Sequence, residues 1–242
     1  MIEFNNVSFS YEKGIPVLNG MSFSIDAGEN VGIIGANGAG KSSLLKVLLG
    51  LLPHEGEIFV KGIPVCKQNL PEIRRLLGFI LQNSDNQMFM PTVYDDMMFG
   101  LLNYGMSKQD ADRRVDEVLE QLNLIKLKNK YNHKISGGEK RMAAIATVLA
   151  MEPEVIIMDE PSVSLDPYNR RSVIKVINSL PQTKIIASHD LDMIMETCNR
   201  VILIADGHVI ASGEAVEILC DKELLENNRL ELPISIASRK VN

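Results

Sequence analysis

Residues 35–42 read GANGAGKS, and this stretch decides the fold of the 242-residue chain. It matches the pattern G-x-x-x-x-G-K-[ST] and lies between a short strand pattern at 30–34 and a helical pattern at 40–49. Its glycines let successive backbone N–H groups point at a phosphate, and the following helix directs its positive end to the same place. The stretch therefore predicts a nucleotide site in which Lys41 reaches the β- and γ-phosphates and Ser42 binds Mg²⁺.

A pair of acidic residues, Asp159 and Glu160, follows an apolar run at 155–158. A buried parallel strand delivers its last residues to the carboxyl edge of the sheet, where ligands bind in α/β folds. We expect Asp159 to hold Mg²⁺ and Glu160 to polarise an attacking water. The pair alone would fit an acidic turn before Pro161 equally well, but the phosphate motif favours the catalytic interpretation.

Two further polar residues come directly after predicted strands. Gln82 follows the strand pattern at 78–81 and can reach the metal or the water, although by itself it fits a polar loop residue better. His189 follows the strand pattern at 184–187 and can donate to a γ-phosphate. A lone histidine is more often structural, yet its position on the same sheet edge favours a role in the site.

The rest of the chain places these motifs in an α/β fold. Residues 2–25 alternate apolar and polar side chains with a turn near 14–16, residues 82–152 are helical, and strands then alternate with helices. We predict a P-loop NTPase core with a mostly parallel sheet, an N-terminal antiparallel β layer and a helical subdomain insertion. Within one domain, 1–242, the core with its β layer is assigned to 1–82 and 153–212, the helical subdomain to 83–152, and a short helical tail to 213–242.

Composition narrows the class of protein. With 45% apolar and 23% charged residues and a net charge of −6, the chain is typical of a soluble globular protein and argues against nucleic acid as the main partner. Its apolar runs fall short of the roughly 20 residues that span a bilayer, and the start, MIEFNNVSF, lacks the regions of a signal peptide. The three cysteines show no metal or disulfide spacing, which indicates a reducing cytosol.

A third string, ISGGEKR at 135–141, has no function that can be derived within one copy of the chain, where it is merely a glycine-rich helix start. With the phosphate loop, Gln82, the acid pair and His189 in this order, it resembles the signature of nucleotide-binding subunits of ATP-binding cassette transporters. The resemblance runs nearly from end to end. It also covers Tyr11, at the position of an adenine-stacking aromatic, and the segment 164–166, at the position of a loop that crosses to a partner.

The resemblance implies an ATPase that works as a head-to-tail pair, with ATP between the phosphate loop of one subunit and the signature of the other. In such a pair, the serine hydroxyl, the glycine amides and the helix start of the signature would contact a γ-phosphate that the partner binds. The implied cofactors are ATP and Mg²⁺. The implied nucleotide-binding residues are Tyr11, Gly35, Asn37, Gly38, Gly40, Lys41, Ser42, Ser43, Ser136, Gly137, Gly138, Glu139 and Asp166. The catalytic candidates are Glu160, His189 and Gln82, and the metal ligands are Ser42, Gln82 and Asp159.

A finer resemblance concerns the string QNSDNQMF at 82–89, which is similar to energy-coupling-factor importer ATPases that serve vitamin and cobalt or nickel uptake. The chain departs from the usual pattern at Ser84, Ile135, Glu139 and Ser162. Only Glu139 changes the charge near the signature, where it is expected to weaken ATP-dependent closure. No residue of the chemistry is missing.

The resemblance also implies the partners. These are a second ATPase subunit, identical or homologous, an integral-membrane coupling protein and a substrate-binding membrane component, with the chain held at the cytoplasmic face of the cell membrane. The cargo stays open, because an ATPase subunit does not touch it. One alternative is an ATPase of this fold in DNA repair or translation, although a coiled-coil insertion and a second cassette are both lacking. Another is a small-molecule kinase, which would leave ISGGE unexplained.

Methionine and phenylalanine are concentrated between residues 87 and 106. Such side chains suit an adaptable groove for a partner's helix, and they suit the core of the helical subdomain equally well. By position after Gln82, we expect Met88, Phe89 and Met90 to form a groove.

Overall fold

The computed structural model describes residues 1–238 and contains two sheets and a helical insertion. The strands are β1 (Ile2–Glu12), β2 (Ile15–Ile25), β3 (Asn30–Ile34), β4 (Glu55–Val60), β5 (Ile63–Pro64), β6 (Leu77–Ile80), β7 (Val155–Asp159), β8 (Thr183–Ala187), β9 (Arg200–Ala205) and β10 (His208–Glu214). The helices are α1 (Lys41–Leu48), α2 (Leu70–Leu76), α3 (Val93–Asn103), α4 (Lys108–Gln121), α5 (Gly137–Ala150), α6 (Pro167–Ser179), α7 (Leu191–Thr197), α8 (Ala215–Cys220), α9 (Lys222–Asn227) and α10 (Ile234–Ala237).

The larger sheet has six strands in the order β10-β9-β3-β8-β7-β6. All its pairs are parallel except β9 with β10, which run antiparallel at one edge. Every residue of β7 and of β8 is buried, because helices cover one face of the sheet, and α1 with the smaller sheet covers the other. The carboxyl ends of β3, β6, β7 and β8 therefore share one edge, and the loops that follow them carry the predicted site residues.

The smaller sheet is the predicted antiparallel layer. Its order is β2-β1-β4-β5, and each pair is antiparallel. Alternate residues of β1, among them Ile2 and Phe4, are buried against the apolar face of the larger sheet, which explains the period-2 pattern in the sequence. The fold class predicted from the sequence is confirmed.

The helical insertion consists of α3, α4 and α5 between β6 and β7. Its helices begin at side-chain caps that the sequence specifies locally. Ser107 accepts a hydrogen bond from the Asp110 N–H at the start of α4, and α3 and α5 begin with the capping boxes Thr92–Asp95 and Ser136–Glu139. One apolar face of each helix, including Val115 and Val118, is buried in a shared core.

The groove expectation for residues 88–90 is only partly supported. Met88 is buried and packs in the core with Met97 and Met98, so placing it in a groove was wrong. Its neighbour Phe89 points outward, with 63% of its surface exposed, and stacks edge-to-face on Phe99. Chain direction at this loop sends consecutive side chains to opposite sides, which residue type alone does not reveal.

The C-terminal part also differs in detail from the expectation. Strand β10 was not predicted, and it runs to Glu214, so the proposed boundary at 212 falls inside a strand. The predicted helical tail corresponds to α8, α9 and α10, and residues 239–242 lie outside the described part. Between residues 1 and 238, none of the helices has the length and apolar character needed to cross a bilayer.

Candidate active site

The phosphate loop connects the end of β3 to the start of α1 and folds around a lysine. Lys41 Nζ donates to the carbonyl oxygens of Gly35 at 2.6 Å and Ala36 at 3.2 Å. Gly40 caps α1 with φ of 103°, and a Cβ there would lie 2.9 Å from the Val17 carbonyl oxygen. Only glycine fits that position, since its backbone is left-handed and its neighbour is close.

Ser42 and Asp159 meet although they are 117 residues apart in sequence. The Ser42 hydroxyl donates to Asp159 Oδ1 at 3.2 Å. Burial raises the pKa of Asp159, and the adjacent Glu160 raises it further, whereas the bond from Ser42 lowers it. Burial lowers the pKa of Lys41, and both carboxylates oppose that shift. The two carboxylates and the ammonium thus form a buried electrostatic cluster beneath the loop.

The Ser42–Asp159 pair fits a magnesium site. Mg²⁺ prefers oxygen ligands and usually takes one or two from the protein, with the rest from nucleotide phosphates and water. A hydroxyl and a carboxylate oxygen within hydrogen-bond distance supply such a pair. Within residues 1–238 no group of three or more His, Cys, Asp or Glu side chains is arranged to hold a metal.

Glu160 is buried and held by the segment that follows β8. Its carboxylate accepts hydrogen bonds from the Ser188 hydroxyl at 3.0 Å and from the His189 backbone N–H at 3.1 Å. His189 Nδ1 lies 2.8 Å from Glu160 Oε2, while the rest of the imidazole is open to solvent. The structure therefore brings the predicted base and the predicted histidine together, one residue from the Ser42–Asp159 pair.

Four candidates for nucleotide contact lie at the periphery of this cluster. The Tyr11 hydroxyl is 3.2 Å from Ser43 Oγ, and its exposed ring stands beside the start of α1. Asp166 caps α6 by accepting the Asn169 N–H at 2.9 Å, and the bonds from Asn169 lower the pKa of Asp166. Asn37 and Gly38 line a cavity of about 330 Å³ with residues 227–229 of the tail.

The signature string forms the start of α5. The Ser136 hydroxyl accepts the Glu139 N–H at 3.2 Å, and Glu139 Oε2 accepts the Ser136 N–H at 2.9 Å. Lys130 Nζ lies 3.6 Å from the other oxygen of Glu139. A Cβ on Gly138 would lie 2.2 Å from Asn169 Cγ. The string therefore does have a structural function within one chain, because it caps α5 and lets α6 approach closely.

Gln82 lies beside the signature. It lines a cavity of about 420 Å³ together with Gly137 and the loop residues 163–165. The buried guanidinium of Arg141 donates to the carbonyl oxygens of Leu81, at 2.6 Å, and of Gln82. The structure thus divides the predicted residues into two groups, one around Lys41 and one around Gly137.

Sequence analysis missed two residues that organise these groups, Ser188 and Arg141. Both are buried, and each bonds a predicted site residue or its backbone. The position of Ser188 at the end of β8, directly before His189, was the available signal. For Arg141 there was none, because an arginine in a helix usually lies on the solvated face.

Comparison with known proteins agrees with this geometry. Residues 18–163 match the family model described as ABC transporter. A putative ABC transporter ATP-binding protein of Geobacter sulfurreducens is 46% identical over 98% of this chain and 95% of its own length. The energy-coupling factor transporter ATP-binding protein EcfA of Methanothermobacter thermautotrophicus is 40% identical over 96% of this chain and 77% of its own length.

Solved structures that resemble this chain also come from ABC proteins. CbiO1 of Clostridium perfringens, described as part of the ABC transporter complex cbiONQ, has a TM-score of 0.85 and 33% identity, covering 99% of this chain and 98% of its own. The ATP-binding cassette MJ0796, solved as a dimer in a post-hydrolysis state with ADP and phosphate, has a TM-score of 0.80 and 27% identity over 89% of this chain and 99% of its own.

Proposed function

This chain belongs to the ABC transporter family as an ATPase subunit, and on that premise we propose that it powers an energy-coupling-factor-type importer. It pairs with a second ATPase subunit and works at the cytoplasmic face of the cell membrane. There it drives a membrane coupling protein that serves a substrate-binding component. The EcfA and CbiO1 relatives support the energy-coupling-factor type of transporter. The resemblance of residues 82–89 to importer ATPases of that type leads us to propose a vitamin or a transition-metal ion, cobalt or nickel, as the cargo.

The separation of the site into two groups is the observation that carries this proposal. One group contains Lys41, Ser42 and Asp159. The other contains Gly137, which has open space where a side chain would lie. A helix start with bare backbone N–H groups suits a phosphate. Because the phosphate loop of the same chain is in the other group, we infer that the phosphate belongs to the partner, as the dimer of MJ0796 allows.

In the proposed reaction a water oxygen bonds to the γ-phosphorus while the bond from that phosphorus to the β–γ bridging oxygen breaks. Glu160 accepts the proton of the water, in an orientation set by Ser188 and His189. Lys41 and the loop N–H groups hold the phosphate charge. When bound, Mg²⁺ neutralises charge on the β- and γ-phosphates, and Ser42 and Asp159 would hold it. We assign Gln82 to contact the attacking water or the metal once the two subunits close.

We also propose that the helical subdomain, 83–152, transmits the motion to the membrane. Its outer face presents the Phe89–Phe99 pair, and Leu102 and Tyr104 beside them are exposed as well. Next to Tyr104, a cavity of about 310 Å³ opens between the ends of α2 and α3. An apolar face beside a groove suits the short helix of a coupling protein.

The test is a pull-down of the tagged chain from its own membranes in mild detergent, followed by mass spectrometry. We expect two membrane proteins, one helical coupling subunit and one small substrate binder. Phe89→Asp should release both, whereas Ile15→Asp, at a residue 62% exposed on the β1–β2 hairpin, should keep them. Recovery of ribosomal or DNA-repair proteins alone would contradict the importer. Equal retention by both variants would remove Phe89 from the docking surface.

A further inference from the structure

The carboxylate of Asp190 joins three separate elements next to the acid pair. It accepts Arg170 Nε at 2.7 Å and Nη2 at 2.9 Å from α6, the Ser162 hydroxyl at 3.0 Å, and the Met193 N–H at 2.9 Å at the start of α7. Burial opposes the charge on Asp190, but the bonds from Arg170, Met193 and Ser162 outweigh it, so that the pKa of Asp190 lies below its ordinary value. Asp190 is therefore a negatively charged junction between the loop at Ser162, helix α6 and helix α7.

The loop between Glu160 and Asp166 needs such a junction because its backbone is strained. Glu160 has φ of 48° and Ser164 has φ of 62°, although neither is glycine. Residues in this left-handed region cost of order 1–3 kcal/mol each and persist only where surrounding contacts fix them. Ser162, in the middle of the loop, is tied to Asp190.

Asp190 connects the segment that carries His189 to the loop that begins at Glu160. His189 precedes it directly, and Glu160 starts the loop that Ser162 anchors. Arg170 stands on the first turns of α6, whose cap, Asp166, ends the same loop. A displacement of that loop thus reaches His189 through the Ser162–Asp190 bond and the bidentate Arg170–Asp190 contact, in addition to the direct contact between Glu160 and His189.

We propose that Arg170 is a positioning residue for hydrolysis, which holds the loop 160–166 and His189 as one rigid unit through Asp190. The roles of Glu160 and His189 rest on the proposed function above. Arg170 touches neither reacting group and reaches them through the carboxylate of Asp190, while its remaining nitrogen, Nη1, donates to Glu196 Oε1 at 3.2 Å on α7. The planar fork of an arginine makes two parallel bonds to a carboxylate, which a lysine cannot make.

The chain offers a matched control in another ion pair, Arg200–Glu29. The side chains of Arg170 and Asp190 are 27% and 22% exposed, and those of Arg200 and Glu29 are 26% and 25% exposed. Arg200 also bonds the Ser24 carbonyl and so has a structural role of similar extent. Its pair lies at the opposite ends of β3 and β9 from the phosphate loop.

The experiment compares Arg170→Met, Arg170→Lys and Arg200→Met for ATP turnover, KM, ATP affinity without turnover, and thermal midpoint. We expect Arg170→Met to lose about 10–100-fold in kcat, the scale of a small misplacement at a reacting centre. Its ATP affinity should stay at the wild-type value, and its midpoint should shift no more than that of Arg200→Met. Arg170→Lys should recover part of the rate.

A second variant keeps the test valid if Arg170→Met folds poorly. Asp190→Asn preserves a capping side chain for α7 and removes only the charge. Its loss of kcat should not add to that of Arg170→Lys, since both break one interaction. Additive losses, or an Arg170→Met enzyme with the kcat of Arg200→Met, would overturn the inference alone. A wild-type protein that hydrolyses no ATP with Mg²⁺ would overturn the proposed function as well.

Discussion

Two glutamates of this chain, Glu160 and Glu139, are held in opposite ways. The side chain of Glu160 is 10% exposed, and its partners, Ser188 and His189, lie in the segment that follows β8, 28 and 29 residues away. The side chain of Glu139 is 32% exposed, and its cap partner, Ser136, is three residues away on the same turn. The fold fixes the first, whereas local sequence fixes the second. Glu160 is therefore rigidly held, whereas Glu139, in the half of the site that we propose to meet the ATP of a partner, is adjustable.

The largest expected effect comes from the rigid glutamate. Glu160→Gln should lose about 10²–10⁴-fold in turnover, the usual contribution of a general base. ATP binding should persist, because Lys41 and the loop amides are untouched. Phosphate release measures the loss, and gel filtration with ATP should show a trapped dimer. Normal hydrolysis by this variant would move the base elsewhere.

A smaller loss of turnover should follow from removal of the Ser188 hydroxyl, which donates to the Glu160 carboxylate. Ser188→Ala removes one donor to a buried carboxylate, which contributes about 1.5 kcal/mol or roughly tenfold in kcat. The KM for ATP should not change. Ser172→Ala, at a half-buried serine of α6 that bonds only its own helix, is the control. A rise in KM with kcat unchanged would show that Ser188 acts on binding.

Substitution of the adjustable glutamate, Glu139, should improve a property of the protein, ATP-driven dimerisation, whereas the two substitutions above reduce turnover. Glu139→Gln keeps the capping box and removes a negative charge at the helix start, where charge effects amount to 0.3–1 kcal/mol. In a Glu160→Gln background, we expect half-maximal ATP-driven dimerisation at about 2–5-fold less ATP. Asp110→Asn in the similar Ser107 cap of α4 is the control. An equal shift in both variants would exclude a local effect on the signature.

The smallest effect concerns the ion pair beside that cap. Lys130→Met should change the free energy of unfolding by about 0.5 kcal/mol or less, because Lys130 and Glu139 are 46% and 32% exposed and such pairs contribute little. Urea unfolding measures it. A loss of several kcal/mol would show that tertiary contacts fix the signature after all, and the contrast between the two glutamates would disappear.

The parallel core was largely predictable from the sequence. Its strands are apolar on both faces and end at polar residues, so β3, β7 and β8 were placed to within one residue. The cap of α4 at Ser107 was equally readable, because it depends on residues within one turn. Local rules sufficed wherever the determining contacts are local.

What escaped prediction depends on contacts between distant segments. Strands β5 and β10 lie at sheet edges, and β10 alternates between exposed and half-buried residues without a strong apolar pattern. Arg170 and Arg141 read as solvated helix residues, yet their partners lie 20 and about 60 residues away. The orientation of Met88 and Phe89 depended on how their loop enters α3, which composition does not encode.

The central position of β3 has a consequence for synthesis of the chain. The phosphate loop follows β3, but the neighbours of β3 in the sheet, β8 and β9, come roughly 150 residues later in the sequence. At 5–20 residues per second, a ribosome needs roughly 7–30 s to supply them. During that interval the apolar strand has no partner on either side. The loop can take its shape only once β8 and β9 have been synthesised, so a chain interrupted before them carries the motif without the site.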